Sequence, residues 1–186
     1  ISNPMLSDGE IKIALANLRS TIKKFSNSPK LTNFLSKETE LRPQVDVKTR
    51  WNSMLHMIRS YLRIREHIKT ALIKADIDIL LTKDQEKLLE FVADLLEPVE
   101  HAINQLSDKE SNLITADLIF TEMINEIDSK PDSNLKSSLK KNLIARIKSR
   151  RTIYSDIAFF LFKKNFKDSQ NCFYDNSLTI EEISKK

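Results

Sequence analysis

Asp46-Val47-Lys48-Thr49-Arg50-Trp51-Asn52-Ser53 joins a short alternating segment to a long helical pattern, and it carries the only Trp of the 186 residues. Just before it, Pro43-Gln44-Val45-Asp46-Val47 alternates polar and apolar residues, the period of two that predicts a short strand. A lone strand cannot satisfy its own backbone groups, so this one predicts partner strands in a larger α/β domain of which the chain is a piece. The opening Ile, in place of Met, carries the same expectation. Arg50 and Trp51 set a planar cation beside the largest aromatic face, which suits stacking on a base next to a phosphate. The same Trp would serve as a packed anchor at the foot of a helix, and the residue types leave both roles open.

Working outward, Met54, Met57, Tyr61, Ile64, Ile68 and Leu72 recur at three- and four-residue steps and predict an amphipathic helix from Ser53 to about Lys74. Asn52 is its expected N-cap. Upstream, Ser7-Asp8-Gly9-Glu10 reads as a capping box, and Ile11, Leu15, Leu18, Ile22 and Phe25 form the apolar stripe of a helix ending near Phe25. Pro29 restarts a short helix to about Ser36. Downstream, Thr82 to Gln85 offers another capping box. The stripe Leu88, Val92, Leu95, Val99, Ile103 and Leu106 follows, with Pro98 expected to kink the helix near Glu97. Thr115 is read as the cap of a helix carrying Ile119, Phe120, Met123 and Ile127. Leu135, Leu139, Leu143 and Ile147 mark the next, from about Asn134 to Arg151. A further helix is expected from Tyr154 to Phe166, then a loop-rich tail with one weak turn after Thr179.

Composition narrows the fold further. One Gly and five Pro are too few for many tight hairpins, which argues against an all-β fold. Charged residues at 30% and hydrophobic ones at 40% match an amphipathic helical protein. Cys172 is alone, so the chain holds no internal disulfide and no thiolate cluster for zinc, and an intracellular compartment is expected. The longest apolar run, Ile157 to Phe162, is too short to cross a bilayer.

The run Asp46 to Ser53, followed by Met54-Leu55-His56-Met57-Ile58, resembles the segment of hAT-family transposases and the BED zinc-finger proteins derived from them that leads into a helical insertion domain. Leu18 to Lys30 resembles the helix preceding that segment, and the likeness covers residues from about 11 to 75. Leu96-Glu97-Pro98-Val99 resembles the leucine-proline turn of the insertion domain. Leu161 to Asn165 departs from the Leu-Asp-Pro signature of many relatives. The resemblance implies a mainly α fold, a helical bundle attached to a fragment of an RNase H-like α/β core. Residues 1–50 would end the first half of that core, residues 51–166 would form the insertion domain, and residues 167–186 the tail. It also implies a nuclear, transposon-derived DNA-binding protein. Trp51 would stack on a flipped base of transposon-end or hairpin DNA, Arg50 would meet the adjacent phosphate, and Thr49, Asn52 and Ser53 would fix the geometry.

Lys136 to Arg151 carries Lys136, Lys140, Lys141, Arg146, Lys148, Arg150 and Arg151 with no acidic residue among them. Such a segment suits a phosphate backbone, where each neutralised phosphate releases counterion. It would serve equally as a solvated face that keeps the protein soluble. Lys140, Lys141, Arg146, Lys148, Arg150 and Arg151 therefore join the candidate DNA-binding residues. His56, His67 and His101 show no metal-site spacing, and no Gly-rich phosphate loop or Ser-His-Asp order is present. The carboxylates that hold divalent metal in the family lie outside the matched segment, and Asp46 reads as a structural acceptor. The expectation is a non-catalytic piece with no cofactor of its own, partnered by DNA and compatible with a homo-oligomer, with neither a membrane nor a small-molecule substrate. The other reading is a domesticated helical scaffold for protein interaction, without DNA chemistry and with Trp51 as a core anchor.

Overall fold

The computed structural model describes residues 9–47, 51–78, 81–108, 112–152, 154–155 and 173 and, of Trp51, the backbone alone. The described residues form α1 (Gly9–Asn27), α2 (Pro29–Ser36), α3 (Trp51–Lys74), α4 (Lys83–Leu106), α5 (Leu113–Ser129) and α6 (Asn134–Arg150), and they contain no strand. They group into two compact units, Ile1–Leu96 and Glu97–Lys186, so α4 contributes its first half to one and its second to the other. The division falls beside Pro98, which has no amide to donate within the helix, although α4 runs on through it.

The first unit is built by the stripes the sequence displays. Ile11, Leu15, Leu18, Ile22 and Phe25 of α1 are buried, as are Leu31 and Leu35 of α2. On α3, Met54, Leu55, Met57, Ile58, Tyr61, Ile64, Ile68 and Leu72 are all buried. Each large aliphatic side chain taken fully from water contributes about 1.5–3 kcal/mol, so packing of these faces outweighs helix propensity. Ser28 caps α2, its hydroxyl accepting from the Leu31 amide, with Pro29 in the first turn. Thr82 and Gln85 cap α4 reciprocally: the Thr82 hydroxyl accepts from the Gln85 amide (3.2 Å) and Gln85 Oε1 accepts from the Thr82 amide (3.3 Å).

Tyr61 donates its hydroxyl to Glu86 Oε1 (2.5 Å), and Lys69 Nζ donates to the other carboxylate oxygen (2.8 Å), joining α3 to α4. Burial, then the bond to Glu86, pushes the Tyr61 phenol up, well above its ordinary range. The bond to Glu86 raises Lys69. α3 stops in a Schellman turn: Asp76 has φ 56°, its amide donates to the Ile73 carbonyl, and the Ile77 amide donates to the Leu72 carbonyl.

Three expectations need correction. Residues 41–47 are not a strand. Two of their amides bond to α3: Gln44 N–H donates to Ser60 Oγ (3.0 Å) and Val47 N–H to Ser53 Oγ (2.9 Å). The bonded amides are three residues apart, whereas a strand directs residues two apart toward one neighbour. The alternation is also inverted. The Asp46 side chain is 3% exposed against the Arg19 guanidinium of α1, while Val45 (46%) and Val47 (53%) face outward.

Asn52 is not the N-cap of α3, because the helix already begins at Trp51 and takes Asn52 into its first turn. Asn112, not Thr115, caps α5: its Oδ1 accepts from the Ile114 and Thr115 amides, and the Thr115 hydroxyl accepts from the Asn112 amide. The Asn side chain reaches two first-turn amides while Thr completes the box from the third helical position. The start of the capping box at Ser7, most of the expected helix from Tyr154 to Phe166, and the turn after Thr179 lie outside the described residues.

In the second unit α5 and α6 run antiparallel. Residues near the start of α6 meet the end of α5 through Lys140 and Asp128, and the residue following α6, Arg151, meets Asp117 near the start of α5. Met123, Ile124 and Ile127 of α5 and Leu139 of α6 are buried, and Phe173 packs edge-on to Phe120 with ring centroids 6.2 Å apart.

Candidate nucleic-acid interface

The basic helix starts where Ser133 accepts from the Lys136 amide (3.0 Å) and ends where the Arg151 amide donates to the Ile147 and Lys148 carbonyls. Its cations divide into two groups. Lys136 is buried at 8% exposure, and its ammonium donates to the Asp128 and Lys130 carbonyls (2.7 Å each) and to Asp132 Oδ1 (2.9 Å). It thus satisfies carbonyls at the C-terminus of α5, where the helix dipole favours a positive charge. The same ammonium, through its bond to the carboxylate, holds Asp132 below its ordinary range. Lys140 pairs with Asp128 at 2.5 Å. Arg151 grips Asp117 with both guanidinium nitrogens, the side chains 10% and 5% exposed.

The seven cations are therefore not all uncompensated, as the helix's own sequence suggests: acids of α5 and of the turn before α6 pair with Lys136, Lys140 and Arg151. Lys141, Arg146, Lys148 and Arg150 are exposed on α6. Only Leu139 of the expected apolar stripe is fully buried, with Leu135, Leu143 and Ile147 half-buried, so the helix keeps a broad wet surface for these cations.

At the other candidate stretch, Thr49 and Arg50 lie outside the described residues, and Trp51 is the first residue of α3. Ser53 hydroxyl is engaged: besides accepting from Val47 it donates to the Val47 carbonyl (2.9 Å), which pins the preceding segment to the helix. Asn52 is half-buried, and its Oδ1 is buried without a hydrogen-bond partner. Trp51, Asn52 and Ser53 belong to the first unit and the α6 cations to the second.

Of the ion pairs that no single helix reveals, two left a trace in the sequence. Asp117 stands alone in the apolar run Leu113 to Phe120, a place where a charge needs a partner. Asp46 stands between two Val in the same way, and Arg19 captures it. No group of three His, Cys, Asp or Glu that could hold a metal ion occurs among the described residues, and no described helix is long and apolar enough to cross a membrane. Comparison with family models, curated proteins and solved structures found no match to this chain.

Proposed function

We propose that the chain is a non-catalytic, DNA-binding part of an hAT-transposase-like nuclear protein, serving to position transposon-end or hairpin DNA. The observation that carries the reading is that Lys141, Arg146, Lys148 and Arg150 are all exposed on a helix that has no acidic residue of its own. Those four cations neutralise phosphates, and Trp51 at the head of α3 stacks on a base, worth about 1–3 kcal/mol per base. In this reading residues 1–50 end the first half of an RNase H-like core and residues 51–166 are its helical insertion. Strand transfer then depends on carboxylates and divalent metal elsewhere in the protein.

Four phosphate contacts give a salt slope of about −3.6, so affinity for duplex or hairpin DNA falls by about 150-fold between 50 and 200 mM salt. Replacing the four cations by Gln should abolish most of that slope. An unchanged slope refutes the reading.

A second reading, a helical scaffold for protein partners, is favoured by one feature: Leu41, Val45 and Val47 present apolar surface on a segment whose acidic side chain is turned inward.

A further inference from the structure

Ser149 lies in Arg146-Ile147-Lys148-Ser149-Arg150-Arg151, among the cations just described. It is exposed, one residue before the end of α6, and the following Arg151 and Thr152 have already left the helix. Its hydroxyl donates to the Arg146 carbonyl (2.9 Å), a bond within the last turn. Three features meet here: an accessible hydroxyl, a helix end that needs little unwinding to enter an extended groove, and Arg at the third position before the hydroxyl with basic residues on both sides. Together they suit a protein kinase whose substrate groove is acidic.

We propose that Ser149 is a phosphorylation site that switches off the α6 cationic surface, an inference that rests on the DNA-binding reading of that surface. The Ser149 Oγ attacks the γ-phosphorus of ATP. A new O–P bond forms, the bond to the ADP oxygen breaks, and the hydroxyl proton passes to a carboxylate of the kinase. The product brings a charge of about −1.5 to −2 and loses the hydroxyl hydrogen that Arg146 accepts. Placed at a helix C-terminus, the phosphate opposes the dipole and loosens the final turn. It sits within three residues of Arg146, Lys148 and Arg150, and offsets about two of the four exposed charges. The salt slope should fall from about −3.6 to about −1.8, so the loss of affinity between 50 and 200 mM salt shrinks from about 150-fold to about 12-fold.

The test treats the chain with a calmodulin-dependent protein kinase and magnesium ATP, locates phosphate by mass spectrometry, and titrates DNA hairpin with modified and unmodified protein across that salt range. Phosphate on Ser149, its loss in Ser149→Ala, and the halved slope, reproduced in part by Ser149→Asp, are expected. Phosphate on Thr152 alone, or none, overturns the site. A modified Ser149 with an unaltered slope overturns the switch while leaving the DNA-binding reading intact. Unmodified protein that ignores DNA overturns that reading, and the switch with it.

Discussion

Arg151→Ala removes the guanidinium that both oxygens of Asp117 accept from, and leaves a carboxylate at 5% exposure deprived of that bidentate cation. Taking one member from a buried pair costs about 3–5 kcal/mol, most of it the solvation that the remaining charge cannot recover. The Arg151 amide still closes the end of α6 on the Ile147 and Lys148 carbonyls, so the loss belongs to the side chain. Asp117→Ala should cost a similar amount. The double variant should cost less than the sum by about 1–3 kcal/mol, because it leaves no orphan charge. Urea unfolding followed by helical circular dichroism measures all three. Arg151→Ala costing under about 1 kcal/mol, or strictly additive losses, would refute the assignment of Asp117 and Arg151 as a coupled buried pair. A second measurement separates structure from binding. With its guanidinium turned onto α5, Arg151 should leave the salt slope of DNA binding unchanged, and a decrease near 0.9 would return it to the interface.

Tyr61 provides a test at alkaline pH. Its folded phenol lies above the unfolded value of 10.0, so the stabilisation is fully present below pH 10 and is lost as pH rises beyond it; one of the three Tyr should therefore ionise only on unfolding, seen as phenolate absorbance. Tyr61→Phe should cost about 1–2 kcal/mol at neutral pH in urea unfolding and flatten that alkaline decline, and an unchanged pH profile refutes the raised phenol. Asp76 adopts a left-handed conformation that glycine accepts without a Cβ clash, so Asp76→Gly should raise stability by about 0.5–1 kcal/mol, read as a higher urea midpoint; a lower midpoint contradicts the turn.

Much of the helical order is local and was legible in the residues. Pro29 behind Ser28, and Thr82 paired with Gln85, place helix starts because a cap acts within four residues. Buried Met54, Met57, Tyr61, Ile64, Ile68 and Leu72 of α3 follow from the 3.6-residue period alone. Asn112 was missed for a neighbouring reason: Thr115 is also a good cap, and choosing between two eligible side chains depends on where the backbone leaves the helix. Residues 43–47 show where a pattern misleads. Alternation of Val with polar residues reports two faces but not which face is inward, and Asp46 is held by an arginine 27 positions away.

The sequence by itself determined that the chain is helical, where most helices begin, which faces are apolar, and that one helix is rich in cations without acids of its own. Those properties depend on neighbours within a turn or two, where chain connectivity sets the geometry. Only the tertiary structure decided which cations are drawn into ion pairs with neighbouring elements and which stand exposed on α6. Asp117 and Asp128 of α5 reach Arg151 and Lys140 across a helix hairpin, while Lys141, Arg146, Lys148 and Arg150 are exposed on α6. Pairing of charges is set by distance in space, which the order of residues along one helix does not contain.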